Sequence, residues 1–181
     1  MRIAVLALQG AFIEHEQMLG RLGVETFEVR KLSDWEQPKD AIVIPGGEST
    51  TMMLLLERQG MLAPIREAIM GGMPVLGTCA GLILLDREHL GTMDMLARRN
   101  AYGRQLGSFH TTGSFCGIEG EIPMTFIRAP YIEEAGSEGK ILSEVEGKIV
   151  AARQGKQLVT AFHPELDSDL SLHRYFLDSI V

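Results

Sequence analysis

The N-terminal half of the chain repeats one phrase: an apolar run of strand length, a glycine-bearing turn, and then a segment with helical spacing. Arg2–Leu8, Ala41–Ile44 and Pro74–Leu76 supply the apolar runs. A strand that returns through a helix pairs in parallel with its successor, so the phrase predicts a parallel sheet covered by helices on both faces. Phe12, His15, Leu19 and Leu22 recur at three- and four-residue steps along one helix face. Val24–Val29 alternates and predicts a weaker strand near an edge. A second helix opens at Glu48-Ser49-Thr50-Thr51 and runs to about Gln59. A third carries Pro64 in its first turn and ends near Gly71-Gly72, and a fourth spans Ala80–Leu85.

Beyond about Leu90 the texture changes to shorter β segments: Gln105–Thr111, Met124–Arg128, Ile141–Val145, Lys148–Ala152 and Gln157–Phe162. Glu144–Lys148 reads as a hairpin, Gly155 as a second turn, and Leu170–Ile180 as a closing helix. The expected class is therefore α/β: three layers around a mostly parallel, doubly wound, flavodoxin-like sheet, with added antiparallel strands. A length of 181 residues that are 45% hydrophobic suits one domain, 1–181, with its own core.

A net charge of -7, from 24 acidic against 17 basic residues, argues against nucleic acid or an anionic membrane as the main partner. The first residues lack the basic n-region and cleavage site of a secretory signal, and no apolar stretch approaches the ~20 residues that span a bilayer. A cytoplasmic setting follows as an expectation, with Cys79 and Cys116 as free thiols.

Gly77-Thr78-Cys79-Ala80-Gly81 has the form glycine-x-nucleophile-x-glycine, at the switch from a buried strand to a helix. Such an elbow presents Cys79 at the carboxyl edge of the sheet instead of burying it, and the positive end of the following helix and a nearby histidine favour the reactive thiolate. The alternative is a small buried residue in a βα turn. Cys116, in Ser114-Phe115-Cys116-Gly117, has no comparable frame.

Phe162-His163-Pro164-Glu165 follows an apolar strand. Pro164 disfavours the helical region for His163, which predicts an extended tripeptide with His163 and Glu165 on one side. A carboxylate so placed takes one ring N–H and leaves the other nitrogen for the thiol. Alone, His-Pro-Glu is a common surface turn; beside the elbow it completes a triad. His15, His89, His110 and His173 show no metal-ligand spacing, and His15 is expected to border the helix core.

Pro45-Gly46-Gly47-Glu48-Ser49 is a second glycine turn at the end of a central strand. The N–H groups of Gly47 and Ala80 are the expected oxyanion donors. A phosphate cradle is the competing reading, but no lysine follows at Walker spacing. A plain helix start, capped by Glu48 and Ser49, is the other.

These residues resemble the class I, triad-type glutamine amidotransferases and, within them, the glutaminase subunits of pyridoxal 5'-phosphate synthases. The resemblance is carried by Leu6-Ala7-Leu8-Gln9-Gly10-Ala11, Pro45–Thr51, Gly77–Ile83, Arg99-Asn100-Ala101-Tyr102-Gly103-Arg104-Gln105, Phe126–Ile132 and Phe162–Leu166. It implies that Cys79, His163 and Glu165 hydrolyse glutamine to glutamate and ammonia. It further implies that Gly47, Glu48 and Ser49 hold the glutamine, that Arg99 takes its carboxylate, and that Ile127 and Arg128 complete the pocket. Gln9 would lie near the site, on the face where the synthase docks. The implied partner is the synthase subunit, in a large hetero-oligomer that receives the ammonia for vitamin B6 synthesis; no cofactor or metal is implied. The stretch between Ile83 and Arg99 is shorter than the family pattern. Two rivals remain at this level: a glutaminase feeding another pathway, such as imidazole glycerol phosphate synthesis, and a thiol-bearing flavodoxin-like regulatory protein without turnover.

Overall fold

A computed structural model of the chain describes residues 1–99 and 108–181. Its first half alternates β1 (Arg2–Leu6), α1 (Phe12–Arg21), β2 (Glu25–Val29), a one-turn α2 (Leu32–Trp35), β3 (Ala41–Ile44), α3 (Ser49–Arg58), α4 (Leu62–Met70), β4 (Val75–Thr78) and α5 (Ala80–Leu85). The second half is mainly β: β5 (Met95–Arg98), β6 (Ser108–Ser114), β7 (Glu121–Ile127), β8 (Tyr131–Ala135), β9 (Lys140–Val145), β10 (Lys148–Gln154) and β11 (Gln157–Thr160). A 3-10 turn, Pro164–Leu166, then leads to α6 (Ser171–Ser179).

The main sheet has the order β2-β1-β3-β4-β11-β10-β8-β5, with β9 also paired to β10. From β2 to β11 all pairings are parallel, and beyond β11 all are antiparallel. This is the expected doubly wound sheet with antiparallel additions. β1 to β2 moves one way along the sheet and β3 to β4 the other, so right-handed crossovers put α1 and the α3–α4 pair on opposite faces. β1, β3, β4 and β11 are central, and β3, β4 and β11 are buried at every position, which explains their unbroken apolar character. β2 lies at the edge, as its sequence predicts, but its burial does not alternate: it runs from an exposed Glu25 through three half-buried residues to a buried Val29.

Differences from the sequence reading are local. α2, β5 and β8 were not anticipated. Met95–Arg98 and Tyr131–Ala135 are short and carry charges, and they become strands by pairing with each other across the 32 positions between Arg98 and Tyr131, in a register from Met95↔Ala135 to Arg98↔Tyr131. β7 starts at Glu121, ahead of the expected Met124, with Pro123 inside it. Proline is tolerated there because, among the described residues, β7 pairs only with β6. The strand expected at Gln105–Thr111 lies partly outside the described residues; its described part extends to Ser114. Both anticipated hairpin turns form, with Glu146, Gly147 and Gly155 at positive φ.

Candidate active site

The parallel strands end together. Ile44 pairs with Gly77 and Thr78 with Thr160, so the turns after β3, β4 and β11 converge on the carboxyl edge of the sheet, where open α/β sheets place their sites. A cleft of about 570 Å³ lies there.

Its floor is the turn between β4 and α5. Cys79 has φ 51 and ψ -103, a conformation of the kind that costs a non-glycine residue roughly 1–3 kcal/mol and persists only where the surroundings impose it. The flanking glycines are sterically required. A Cβ at Gly77 would stand 2.8 Å from the Gly81 carbonyl, and one at Gly81 would stand 2.1 Å from the Ile44 oxygen. The Cys79 amide donates to Thr160 O at 2.8 Å, which ties the elbow to β11. Cys79 lines the cleft but is only 7% exposed, so the expectation of a presented, unburied thiol is corrected. Ile127, whose carbonyl lies 4.0 Å from the Cys79 sulfur, and Gly46, packed against its Cβ, close around it. Both cysteines are free thiols, and Cys116 is exposed in a turn after β6.

His163 stands three residues beyond the end of β11, with its amide donating to Thr125 O of β7 at 2.8 Å. Its φ of -103 and ψ of 87 are non-helical, as the following proline requires. The tripeptide is nevertheless not extended: Pro164, Glu165 and Leu166 form a 3-10 turn with Pro164 at its start, which suits proline's fixed φ. This turn, not strand alternation, brings Glu165 back under the ring, where His163 Nδ1–H donates to Glu165 Oε1 at 2.7 Å. Glu165 is 4% exposed and lies behind His163, outside the cleft lining. Burial works against charge on His163, but hydrogen bonds with Cys79 and Glu165 and the charges of both outweigh it, pushing its pKa up to about 10. Burial would likewise raise the Glu165 carboxyl, yet the facing His15 and the hydrogen-bonded His163 hold it below its ordinary range.

The other wall is the turn from β3 into α3. Gly47, Glu48 and Ser49 all line the cleft. Glu48 is the N-cap of α3: its carboxylate accepts from Thr50 N at 3.0 Å and from Thr51 N and Oγ1 at 2.7 Å each. These bonds, those of Thr51 foremost, lower its pKa to about 2. The helix-start reading of this turn is thus realised together with its place in the cleft. No backbone hydrogen bond between elements uses the N–H of Gly47 or of Ala80 among the described residues, and both residues border the cleft beside Cys79. Gln9 Oε1 accepts from Glu48 N at 2.7 Å and so braces this turn from the loop after β1. Arg99 lines the mouth, with Nη1 3.3 Å from Thr50 Oγ1, and Ile127 and Arg128 form the rim, Arg128 at a positive φ of 44. Of the segment Arg99–Gln105, only Arg99 lies within the described residues.

Several residues at the site carry no assignment from the sequence. Gly46 is packed so closely that a Cβ would meet His163 Cε1 at 2.4 Å, and Gly10, at φ +90, would drive a Cβ to 1.6 Å from Gly46 O. His15 is buried as expected on α1, yet its ring nitrogens bind polar groups, Thr78 Oγ1 at 3.0 Å and His173 Nε2 at 2.9 Å. These partners lie 63 and 158 residues away, beyond the reach of any local pattern. A histidine centred on an apolar helix face was the one available signal.

The sequence model of the SNO glutamine amidotransferase family matches residues 5–181. The chain is 58% identical to the pyridoxal 5'-phosphate synthase subunit PdxT of Methanocorpusculum labreanum, covering 99% of this chain and 98% of that one. It is 55% identical to the subunit of the same name from Streptococcus pneumoniae, covering 98% and 96%. Among solved structures, one described as a glutamine amidotransferase superposes with a TM-score of 0.90 at 40% identity, covering 97% of each chain.

Proposed function

Because the chain belongs to the SNO glutamine amidotransferase family, we propose that it hydrolyses L-glutamine to L-glutamate and ammonia and supplies the ammonia to a pyridoxal 5'-phosphate synthase subunit. The observation that carries this reading is the pairing of a cysteine on a positive-φ elbow with a histidine–carboxylate couple of 2.7 Å across one cleft. The rival without turnover gives no reason for a buried Glu165 behind His163, and PdxT relatives at over half identity favour the vitamin B6 branch over other glutaminase pathways.

In this mechanism the Cys79 sulfur, as thiolate, attacks the side-chain amide carbon of glutamine while His163 is the imidazolium. The carbonyl oxygen becomes an oxyanion that the Gly47 and Ala80 N–H groups receive, each such donor being worth roughly 10²–10³ in rate. His163 gives its proton to the departing nitrogen, the C–N bond breaks, and ammonia leaves a glutamyl thioester on Cys79. The neutral imidazole then takes a proton from water; the hydroxide attacks the thioester, and glutamate departs as Cys79 and His163 regain their ion pair. Glu165 orients the ring throughout.

The substrate's α-groups fall to the cleft mouth. The ionised Glu48 suits the α-ammonium, and Arg99 offers a planar pair of donors for the α-carboxylate. Ser49, Ile127 and Arg128 bound the side chain. A cleft of about 570 Å³ is ample for one amino acid. Residues 1–181 act as one glutaminase unit, working in the cytoplasm within a larger hetero-oligomer. Direct transfer to the synthase matters chemically, since ammonia released to neutral water is protonated and ceases to be a nucleophile. Mixing the chain with a synthase of this type tests the assignment: a complex with faster glutamine hydrolysis is expected, and neither a complex nor a rate increase would refute it.

A further inference from the structure

The mechanism above uses one oxygen of Glu165. The other, Oε2, is buried and, among the described residues, has no hydrogen bond of good geometry, but it faces His15 Nε2 at 3.3 Å. His15 on α1 and His173 on α6 are both 0% exposed. They form a relay behind the triad: His173 Nε2 to His15 Nδ1 at 2.9 Å, then His15 Nε2 toward Glu165 Oε2 and Thr78 Oγ1, the last residue of β4 before Cys79. Two imidazoles buried in a core that aliphatic side chains could fill are costly unless their hydrogen bonds are used.

Hydrogen-bond chemistry decides the tautomers. Nitrogens 2.9 Å apart share one proton. If His15 Nδ1 carried it, His15 Nε2 would turn a lone pair toward a carboxylate oxygen, and His173 Nδ1, which has no partner among the described residues, would be a buried N–H without an acceptor. If His173 Nε2 carries it, His15 is protonated on Nε2, and that N–H has Thr78 Oγ1 at 3.0 Å and Glu165 Oε2 at 3.3 Å as its two acceptors. The leftover group is then only an unused lone pair on His173. Burial lowers the pKa of both imidazoles, which keeps them neutral.

We propose that His15, held by His173, is a positioning residue for the triad: its Nε2–H donates to Glu165 Oε2, so that two histidines grip the carboxylate, one on each oxygen. The proposal rests on the glutaminase reading. The charged and titratable groups facing His15 are Glu165, His163 and His173 from other elements and Glu14 from its own helix; His163 in turn faces Cys79. Without the His15 N–H, the Glu165 carboxyl takes up a proton at higher pH, which moves the acid limb of activity upward. The His163 imidazolium loses part of its support, which moves the alkaline limb downward. The pH profile narrows from both sides, whereas a merely structural residue lowers the plateau and leaves the width unchanged.

The test is the pH dependence of glutamine hydrolysis, with the synthase present, for the wild type, His15→Leu, His15→Gln and His173→Leu. A hydrogen bond to a charged group is worth roughly a tenfold to a hundredfold rate change, so His15→Leu is expected to lose about that factor in kcat with KM within about twofold. Each limb is expected to move inward by about one pH unit. His15→Gln, which keeps an N–H donor near the same place, restores much of the width. A folded His15→Leu whose pH profile keeps the wild-type width, whether or not its plateau falls, would overturn the proposal. If the variants do not fold, ring ¹⁵N shifts in the wild type decide: a neutral Nε2–H tautomer at His15 upholds it, and an Nδ1–H tautomer refutes it. Failure of the wild type itself to hydrolyse glutamine would remove the glutaminase reading, a result distinct from either of these.

Discussion

A methyl group at residue 46 would stand 2.4 Å from His163 Cε1 and 3.3 Å from the Cys79 Cβ, so Gly46 fixes the separation of nucleophile and base by having no side chain. Gly46→Ala is expected to push the imidazole aside and lower glutamine hydrolysis by about 10²-fold, the usual penalty for a displacement near 1 Å. Steady-state kinetics check the rate, and a melting temperature within a few degrees of wild type shows that the loss is local. His163 itself should titrate near 10 by NMR. In Cys79→Ala that value should fall toward an ordinary imidazole, because the hydrogen bond and charge of Cys79 are removed. The sign for stability follows from the same shift. The raised folded value makes His163 stabilising in full below its unfolded value of about 6.5, and this contribution is lost as pH rises toward about 10. Cys79, His163 and Glu165 were legible in the sequence because each sits in a short motif with local chemistry. Gly46, His15 and His173 were not, since their meaning lies in partners brought near only by the folded sheet.

The elbow and the 3-10 turn are the elements on which the site depends. A Cβ at Gly81 would meet the Ile44 oxygen at 2.1 Å, backbone that cannot yield, so Gly81→Ala should separate α5 from β3. A loss of about 1–3 kcal/mol is expected in urea unfolding, the range for overpacking a tight contact. Gly20→Ala is the contrasting substitution. It lies within α1 with nothing within 4 Å of the new Cβ, and helix propensity predicts a gain of about 0.5–1 kcal/mol in the same assay. The difference between these glycines was only half legible. The glycine-x-cysteine-x-glycine frame announced a sharp turn at Gly81, but the carbonyl that excludes a side chain belongs to a strand 37 positions earlier. Elements with strong periodicity or unbroken apolar character, such as β3 and α5, were readable to the residue. β5 and β8 were not, because short charged strands are defined by their partner. The extended form expected of His163-Pro164-Glu165 also failed for a physical reason: proline bars the helical region before it but favours a tight turn after it.

In the whole molecule, the doubly wound order carries the strand ends of β3, β4 and β11 to one edge, and the cleft opens there. The parallel half was readable because each strand–turn–helix phrase is self-contained, whereas the antiparallel extension is assembled from long-range pairings. The chain's net charge of -7 and its match with PdxT relatives over nearly its full length fit a catalytic subunit that meets a protein partner and a small substrate. The buried histidines add a pH dependence at this level. His173, driven by burial to about 3, cannot take up the proton that the unfolded chain accepts near 6.5. Its contribution to stability is therefore complete above about 6.5 and lost as pH falls toward 3, and His173→Leu should flatten that part of the stability curve in denaturant melts. Glutaminase activity carried by Cys79 is tested most directly by glutamate release from glutamine by the chain and by its Cys79→Ala variant, each with and without the pyridoxal 5'-phosphate synthase subunit. Hydrolysis is expected to rise when the synthase is added and to vanish in the variant, which still folds and still binds the synthase; hydrolysis of equal rate in Cys79→Ala would refute Cys79 as the nucleophile.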